Sequence, residues 1–165
     1  MVGQVQAALP ESELGVHFHN DIGCAVAPSL TAVDLGVRQV QGCVNGYGES
    51  TGNADLSTVI PDLVLKMGIP VLSEDRLAHL SPIAHHIAEV VNISLNPHSP
   101  YVSTSAFTHK AGLHTSALAK RPDAYEHQDP TDVGNRTRMV VSELSGKATI
   151  VAKPVNTVLD SPTSR

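Results

Sequence analysis

His17 and His19 stand one residue apart and are followed at once by Asn20 and Asp21. On a β-strand, residues two apart point to the same face. That spacing sets two imidazoles side by side while Val16 and Phe18 turn to the opposite, apolar side. Two convergent imidazoles with oxygen donors nearby suit a divalent metal. A single histidine more often ends as a hydrogen-bonded structural residue, so the pairing and its context carry the reading. The context is the loop Asn45-Gly46-Tyr47-Gly48-Glu49-Ser50-Thr51-Gly52-Asn53. Asn45, Gly46 and Gly48 permit backbone conformations that other residues resist and let a ligand approach the main chain. They are the candidate substrate-binding positions; the plain alternative is a tight exit from a strand. The spacing matches neither a Walker nor a dinucleotide fingerprint. Glu49 places an acid at the same mouth, where it is a candidate for proton chemistry.

A β-α-β unit is what must position these residues. Leu14 to His19 reads as a short buried strand, with Asp21 and Gly23 in the turn after it. From Cys24 to Leu35, Val26, Leu30 and Val33 recur at helical spacing, and Gly36 is a stop. Val37 to Val44 returns as a second strand, and such a crossover implies parallel, right-handed pairing. Ligands of parallel α/β folds gather at the carboxyl ends of strands. His19 and the glycine-rich loop both fall there, so they are expected to share one mouth. Pro28 lies inside the helical pattern, where it would remove a hydrogen bond, so the helix starts later or is kinked.

Farther along, Leu56, Val59, Ile60, Leu63, Val64 and Met67 form a helical stripe ending at Gly68 and interrupted by Pro61. Ser73-Glu74-Asp75 is a helix start with acids in the first turn. Leu77, Leu80, Ile83, Ile87, Val90 and Val91 predict one long helix, bent at Pro82. A domain boundary is placed near Leu72, separating residues 1–71 from a second, mainly helical unit over 72–150. The segment 96–100 is a loop, 112–120 and 130–144 are each expected to hold a short helix, and 151–165 is an aperiodic, frayed tail.

The 165 residues are 41% hydrophobic but include only two Phe, three Tyr and no Trp, so the core must be aliphatic. A formal charge of -5 gives no electrostatic reason to bind nucleic acid or anionic membrane. The two cysteines, Cys24 and Cys43, are too few for a disulfide framework and read as free thiols. The opening MVGQVQAALPESELG does not read as a secretory signal, and no run approaches a membrane span. The expected location is the cytoplasm.

The motif HFHNDIGCA, followed by QGCVNGYGESTGN, resembles the signature of metallolyase-type TIM barrels that condense acetyl-CoA with 2-oxo acids. That family includes isopropylmalate, homocitrate and citramalate synthases. The run FTHKAGLHTSALAKRPDAYEHQDPTDVGN, from Phe107 to Asn135, is most similar to citramalate synthases, and the resemblance extends from Gly15 to about Ile150. It implies an α/β fold: a partial TIM (β/α)8 barrel, beginning near the seventh strand and comprising the last two βα units, then a mainly helical subdomain. A complete barrel takes about 250 residues.

The resemblance further implies that His17 and His19 ligate a divalent metal (Mg, Mn or Zn). Asn53 stands where the family completes the metal's shell, directly or through water, although Asn after Gly also favours turns for local reasons. The family's third protein ligand is an aspartate on its first barrel strand. His114 matches a family acid-base histidine and Tyr125 a tyrosine assisting the same step; the bland alternative for both is a packed subdomain surface. Ser50 replaces the arginine, and Pro28 the asparagine, that most relatives carry. The implied reaction joins acetyl-CoA, as co-substrate, to pyruvate, giving citramalate for isoleucine synthesis. A branched 2-oxo acid, as in 2-isopropylmalate synthase and leucine synthesis, is the nearest alternative. A non-catalytic remnant or partner subunit is the alternative from another class. A homodimer is expected of the full-length form.

Overall fold

The computed structural model describes residues 1–109, 121 and 125–140. Its elements run α1 (Val2–Ala8), β1 (Gly15–His17), α2 (Val26–Asp34), β2 (Gln39–Gln41), a 3-10 turn (Val44–Gly46) and α3 (Leu56–Pro61). A π-helical turn (Asp62–Lys66), α4 (Glu74–Leu77), α5 (Leu80–Val91), β3 (Thr108–His109), a second 3-10 turn (Pro130–Val133) and β4 (Arg138–Met139) follow. The class is α/β. The expected helix over 112–120, the tail 151–165 and His114 lie outside the described residues.

The predicted β-α-β unit is present. β1 and β2 pair in parallel with Gly15 opposite Gln39, Val16 opposite Val40 and His17 opposite Gln41. The ladder is shorter than the hydrophobic pattern suggested, because the chain leaves the sheet after β1 to bond with the end of the glycine-rich loop and after β2 to bond with the residues that follow that loop. His19 forms an isolated antiparallel bridge with Asn53, and Cys43 a parallel one with Asp55. The alternation is as expected: His17 and His19 are exposed, while Phe18 packs against the buried cluster of Ala25, Ala54, Val59 and Leu63.

Both proline questions resolve by helix register. α2 starts at Val26 rather than Cys24, so Pro28 is its third residue. The first four N–H groups of a helix have no intrahelical acceptor, and a proline there forfeits nothing. Pro82 is likewise the third residue of α5. The single long helix expected from Leu77 onward is instead α4 and α5, separated at Ala78 and His79. Pro61 is different. It is buried at the end of α3, and the missing N–H coincides with a change from α to π winding, in which Met67 N donates to Asp62 O at 3.0 Å.

Helix α3 and its π-helical continuation separate two cores. Val59 and Leu63 face the cluster beside α2, whereas Ile60 and Val64 pack on Leu77, Leu80, Ala84, Tyr101, Val102, Phe107 and Val133. Of the segment 130–144, where a short helix is expected, the described residues up to 140 form a 3-10 turn, Pro130–Val133, followed by β4 paired in parallel with β3, and 141–144 lie outside the described residues. The Asp129 carboxylate accepts from Thr131 N at 2.9 Å and starts the turn. Gly134, at φ +71°, stops it. Asn135 then donates to the Tyr101 and Ser103 carbonyls at 2.7 and 2.9 Å, pulling the chain out of helical geometry.

Candidate metal centre

The carboxyl end of β1 carries the two histidines. Their ring centroids are 5.1 Å apart and the rings nearly perpendicular, at 78°. A metal sits about 2.1 Å from a ligating imidazole nitrogen, hence about 3 Å from the ring centre. Two rings on one ion at a tetrahedral angle therefore have centroids about 5 Å apart. The observed spacing fits shared ligation.

Asn53 is brought opposite His19 by the isolated bridge, and residues directly opposite in an antiparallel pair project to the same face. The backbone fixes this closely. Asn53 N donates to Gly46 O at 3.1 Å, Ala54 N to Phe18 O at 3.0 Å and Asn20 N to Gly52 O at 2.8 Å. Asn53 is only 8% exposed, and its Oδ1 is buried without a hydrogen-bond partner. An orphaned buried carbonyl oxygen is costly, and a cation is a fitting partner for it. The donor set of two imidazoles and one amide oxygen therefore fits a divalent ion. Among the described residues, no three His, Cys, Asp or Glu side chains converge as a ligand cluster.

The candidate substrate-binding residues prove heavily engaged within the fold. Asn45 Nδ2 donates to Ala84 O at 2.8 Å, and its Oδ1 accepts from Ser57 Oγ at 3.3 Å, tying the loop to α5 and α3. Asn45 itself adopts φ 61°, a left-handed conformation that asparagine tolerates. Gly46 contributes the carbonyl that receives Asn53 N, and a Cβ on Gly48 would lie 2.2 Å from Asn53 Nδ2. Glu49 is exposed, in a turn closed by Gly52 N donating to its carbonyl at 3.0 Å. Asp21 lies across from this turn and accepts from Thr51 Oγ1 at 3.2 Å.

Asn20, read from the sequence as an oxygen donor beside the histidines, and Asp55, which the sequence did not single out, both support the backbone around the site. Asn20 Oδ1 accepts from Ala25 N at 3.0 Å and so fixes the approach to α2. Asp55 caps α3 by accepting from Ser57 N at 2.8 Å. Burial pushes its carboxyl up, against the lowering pull of its bonds from Ser57 and Thr58. A polar residue after Gly-Asn-Ala was the available signal for the cap.

Tyr125 is 44% exposed, and its neighbour Glu126 is anchored. Glu126 Oε1 lies 3.3 Å from His109 Nε2 and accepts from Thr137 Oγ1 at 2.7 Å. The segment bearing Tyr125 is thereby held to β3.

Two family models match the chain: the HMGL-like family over residues 1–87, and the homocitrate synthase post-HMGL domain-like family over residues 101–161. The chain belongs to the HMGL-like family. It is 53% identical over 142 residues to the (R)-citramalate synthase of Streptomyces coelicolor, covering 86% of this chain and 27% of that protein. Identity is 50% over 140 residues to the (R)-citramalate synthase of Geobacter sulfurreducens, covering 85% of this chain and 26% of that one. A homocitrate synthase of Pyrococcus horikoshii is 39% identical over 138 residues, covering 83% and 37%. The chain thus spans about a quarter of the length of the citramalate synthases it matches. The HMGL-like match includes both histidines, the glycine-rich loop, α3 and most of α5; the second match includes Tyr125 and the 3-10 turn at Pro130. Among the described residues, no helix is long and apolar enough to cross a membrane.

Proposed function

We propose that this chain serves an acyltransferase that condenses acetyl-CoA with a 2-oxo acid, pyruvate first among them, to give citramalate for isoleucine synthesis. On this reading residues 1–71 are the last two βα units of a TIM barrel, and the residues after them form the subdomain that covers its mouth. The observation that supports it best is the imidazole pair of His17 and His19, set opposite the unpartnered amide oxygen of Asn53 in a chain half identical to citramalate synthases.

His17, His19 and Asn53 would hold a divalent cation, with a further carboxylate ligand supplied by another barrel strand. That ion supplies Lewis acidity to the carbonyl of the bound 2-oxo acid. The chain's own residues orient and exchange protons. The glycine-rich loop keeps the ligand oxygen of Asn53 in place. Tyr125, on a segment anchored through Glu126, offers a phenol that shares proton handling with the His114 imidazole when acetyl-CoA loses a methyl proton and adds to the oxo carbon. Glu49 is an exposed acid at the same mouth. Water then cleaves the thioester and releases the CoA thiol. A homodimeric, cytoplasmic enzyme is part of the proposal.

The test is to replace the matching segment of the Streptomyces coelicolor enzyme with this chain and follow thiol release from acetyl-CoA. Pyruvate-dependent release is expected, abolished by His19→Ala. His114→Ala or Tyr125→Phe is expected to lower turnover about a hundredfold with metal affinity nearly intact. Release with a branched 2-oxo acid instead of pyruvate would move the assignment to an isopropylmalate synthase. Undiminished turnover of the His19→Ala form would remove that residue from the ligands.

A further inference from the structure

The Asn53 amide is held on its nitrogen side only. Nδ2 donates to the Tyr47 carbonyl at 3.3 Å and lies 3.4 Å from Cys43 Sγ, within hydrogen-bond reach of sulfur. Gly48 closes the remaining side, since a Cβ there would collide with Nδ2 at 2.2 Å. A carbonyl can only accept, so the nitrogen must face Tyr47, and the sulfur can serve the second Nδ2 proton as a weak acceptor. Oδ1 is the atom left over, buried and unpartnered on the residue opposite His19. Cys43 is half-buried, unlike the exposed Cys24, and its own backbone is fixed: Cys43 N donates to Ala54 O at 3.1 Å and Cys43 O accepts from Leu56 N at 2.9 Å.

We propose that Cys43 is a positioning residue whose Sγ, together with the Tyr47 carbonyl, occupies the Asn53 amide nitrogen and thereby commits Oδ1 to a cation shared with His17 and His19. This rests on the metal-binding reading given above. It assigns Cys43 a role without making it a ligand. The sulfur holds the neighbour of the ion. Outer partners of ligating groups govern affinity by fixing the orientation and polarity of the ligand atom.

The experiment uses the whole 165-residue chain carrying Cys24→Ser, titrated with Co2+ and followed by absorption. Cobalt d–d bands lost in His19→Ala are expected, with no sulfur-to-cobalt charge-transfer band in the near ultraviolet. Cys43→Ala, which removes the acceptor, is expected to weaken Co2+ binding about tenfold, the low end for such outer partners. Cys43→Ser, which restores an acceptor, stays within about twofold. Without metal, NMR of the Asn53 side-chain amide reads the same clamp: one Nδ2 proton exchanges faster in Cys43→Ala and is protected again in Cys43→Ser. A charge-transfer band that disappears in Cys43→Ala would make the thiolate a ligand and overturn the inference. Histidine-dependent binding indifferent to Cys43, or amide exchange that ignores it, overturns the inference alone. Absence of histidine-dependent binding both in this chain and in the Streptomyces coelicolor chimera, which supplies the further carboxylate, overturns the metal reading and this inference with it.

Discussion

The Tyr101 hydroxyl donates to Asp62 Oδ1 at 2.6 Å and so ties the loop after Pro100 to the π-helical turn. Burial and the adjacent Asp62 carboxylate both resist loss of the phenolic proton, and push Tyr101 far above its usual value of 10.0. A group whose folded value lies above its unfolded one contributes stability that is complete below the unfolded value. That contribution is lost as pH rises through the folded value. Thermal unfolding is therefore expected to show a loss of stability beginning near pH 10 that is absent in Tyr101→Phe. At pH 7 the substitution should cost about 1 kcal/mol, one hydrogen bond with its acceptor left half-exposed. Equal slopes above pH 10 in both proteins would detach Tyr101 from that titration. The neighbouring His127 ring stacks on Phe107 with centroids 5.8 Å apart and is pushed down by burial and by the Lys66 ammonium. It serves as packing in this corner.

At the scale of elements, the contact that decides how the second core closes is Gly134 against the α4–α5 junction. A Cβ there would lie 2.1 Å from the Ala78 carbonyl oxygen, and the backbone sits at φ +71°. Gly134→Ala combines a backbone collision with a left-handed conformation, so a loss of about 2 kcal/mol or more is expected in chemical denaturation. Pro28→Ala, at the third residue of α2, should change stability by less than about 1 kcal/mol; a larger gain would mean that α2 begins earlier than Val26 and that Pro28 interrupts its hydrogen bonds. These two positions also mark how far the sequence could be read. Strand, helix, strand and glycine loop were legible because hydrophobic spacing and the His-X-His pattern are local. The register of α2 was not, because Ala25 is an uncharacteristic cap and its N–H is bonded from five residues away by Asn20. The exchange of an expected helix for the 3-10 turn and β4 depends on Asn135 reaching carbonyls more than thirty residues distant. The pairing of Cys43 with Asn53 is likewise a tertiary event: a thiol at a strand end and an amide after a glycine gave no sign of each other.

At the scale of the molecule, the described sheet around the site is two strands of three residues each, paired only with one another. A parallel pair this short needs covering elements or further strands, and open strand edges invite association. Exposed apolar side chains add to this on and just after α5, where Ile83, Val90, Val91 and Ile93 are between 43% and 70% exposed. Two neutral imidazoles and one amide oxygen also hold a hard cation weakly, since such ions favour several anionic oxygens. The 165-residue chain by itself is therefore expected to associate in solution, to bind Mg2+ or Mn2+ weakly, and to release no thiol from acetyl-CoA with pyruvate present. Light scattering coupled to gel filtration reads the first expectation and a thiol assay the last. Metal-dependent turnover by a monomer would overturn both and would require a carboxylate within the chain to join the two histidines. Asp21 is the residue to substitute then, because its carboxylate already reaches the same loop through Thr51. If Asp21→Asn removed the activity while Thr51→Val kept it, the third ligand would be found in the turn that follows the His-X-His strand.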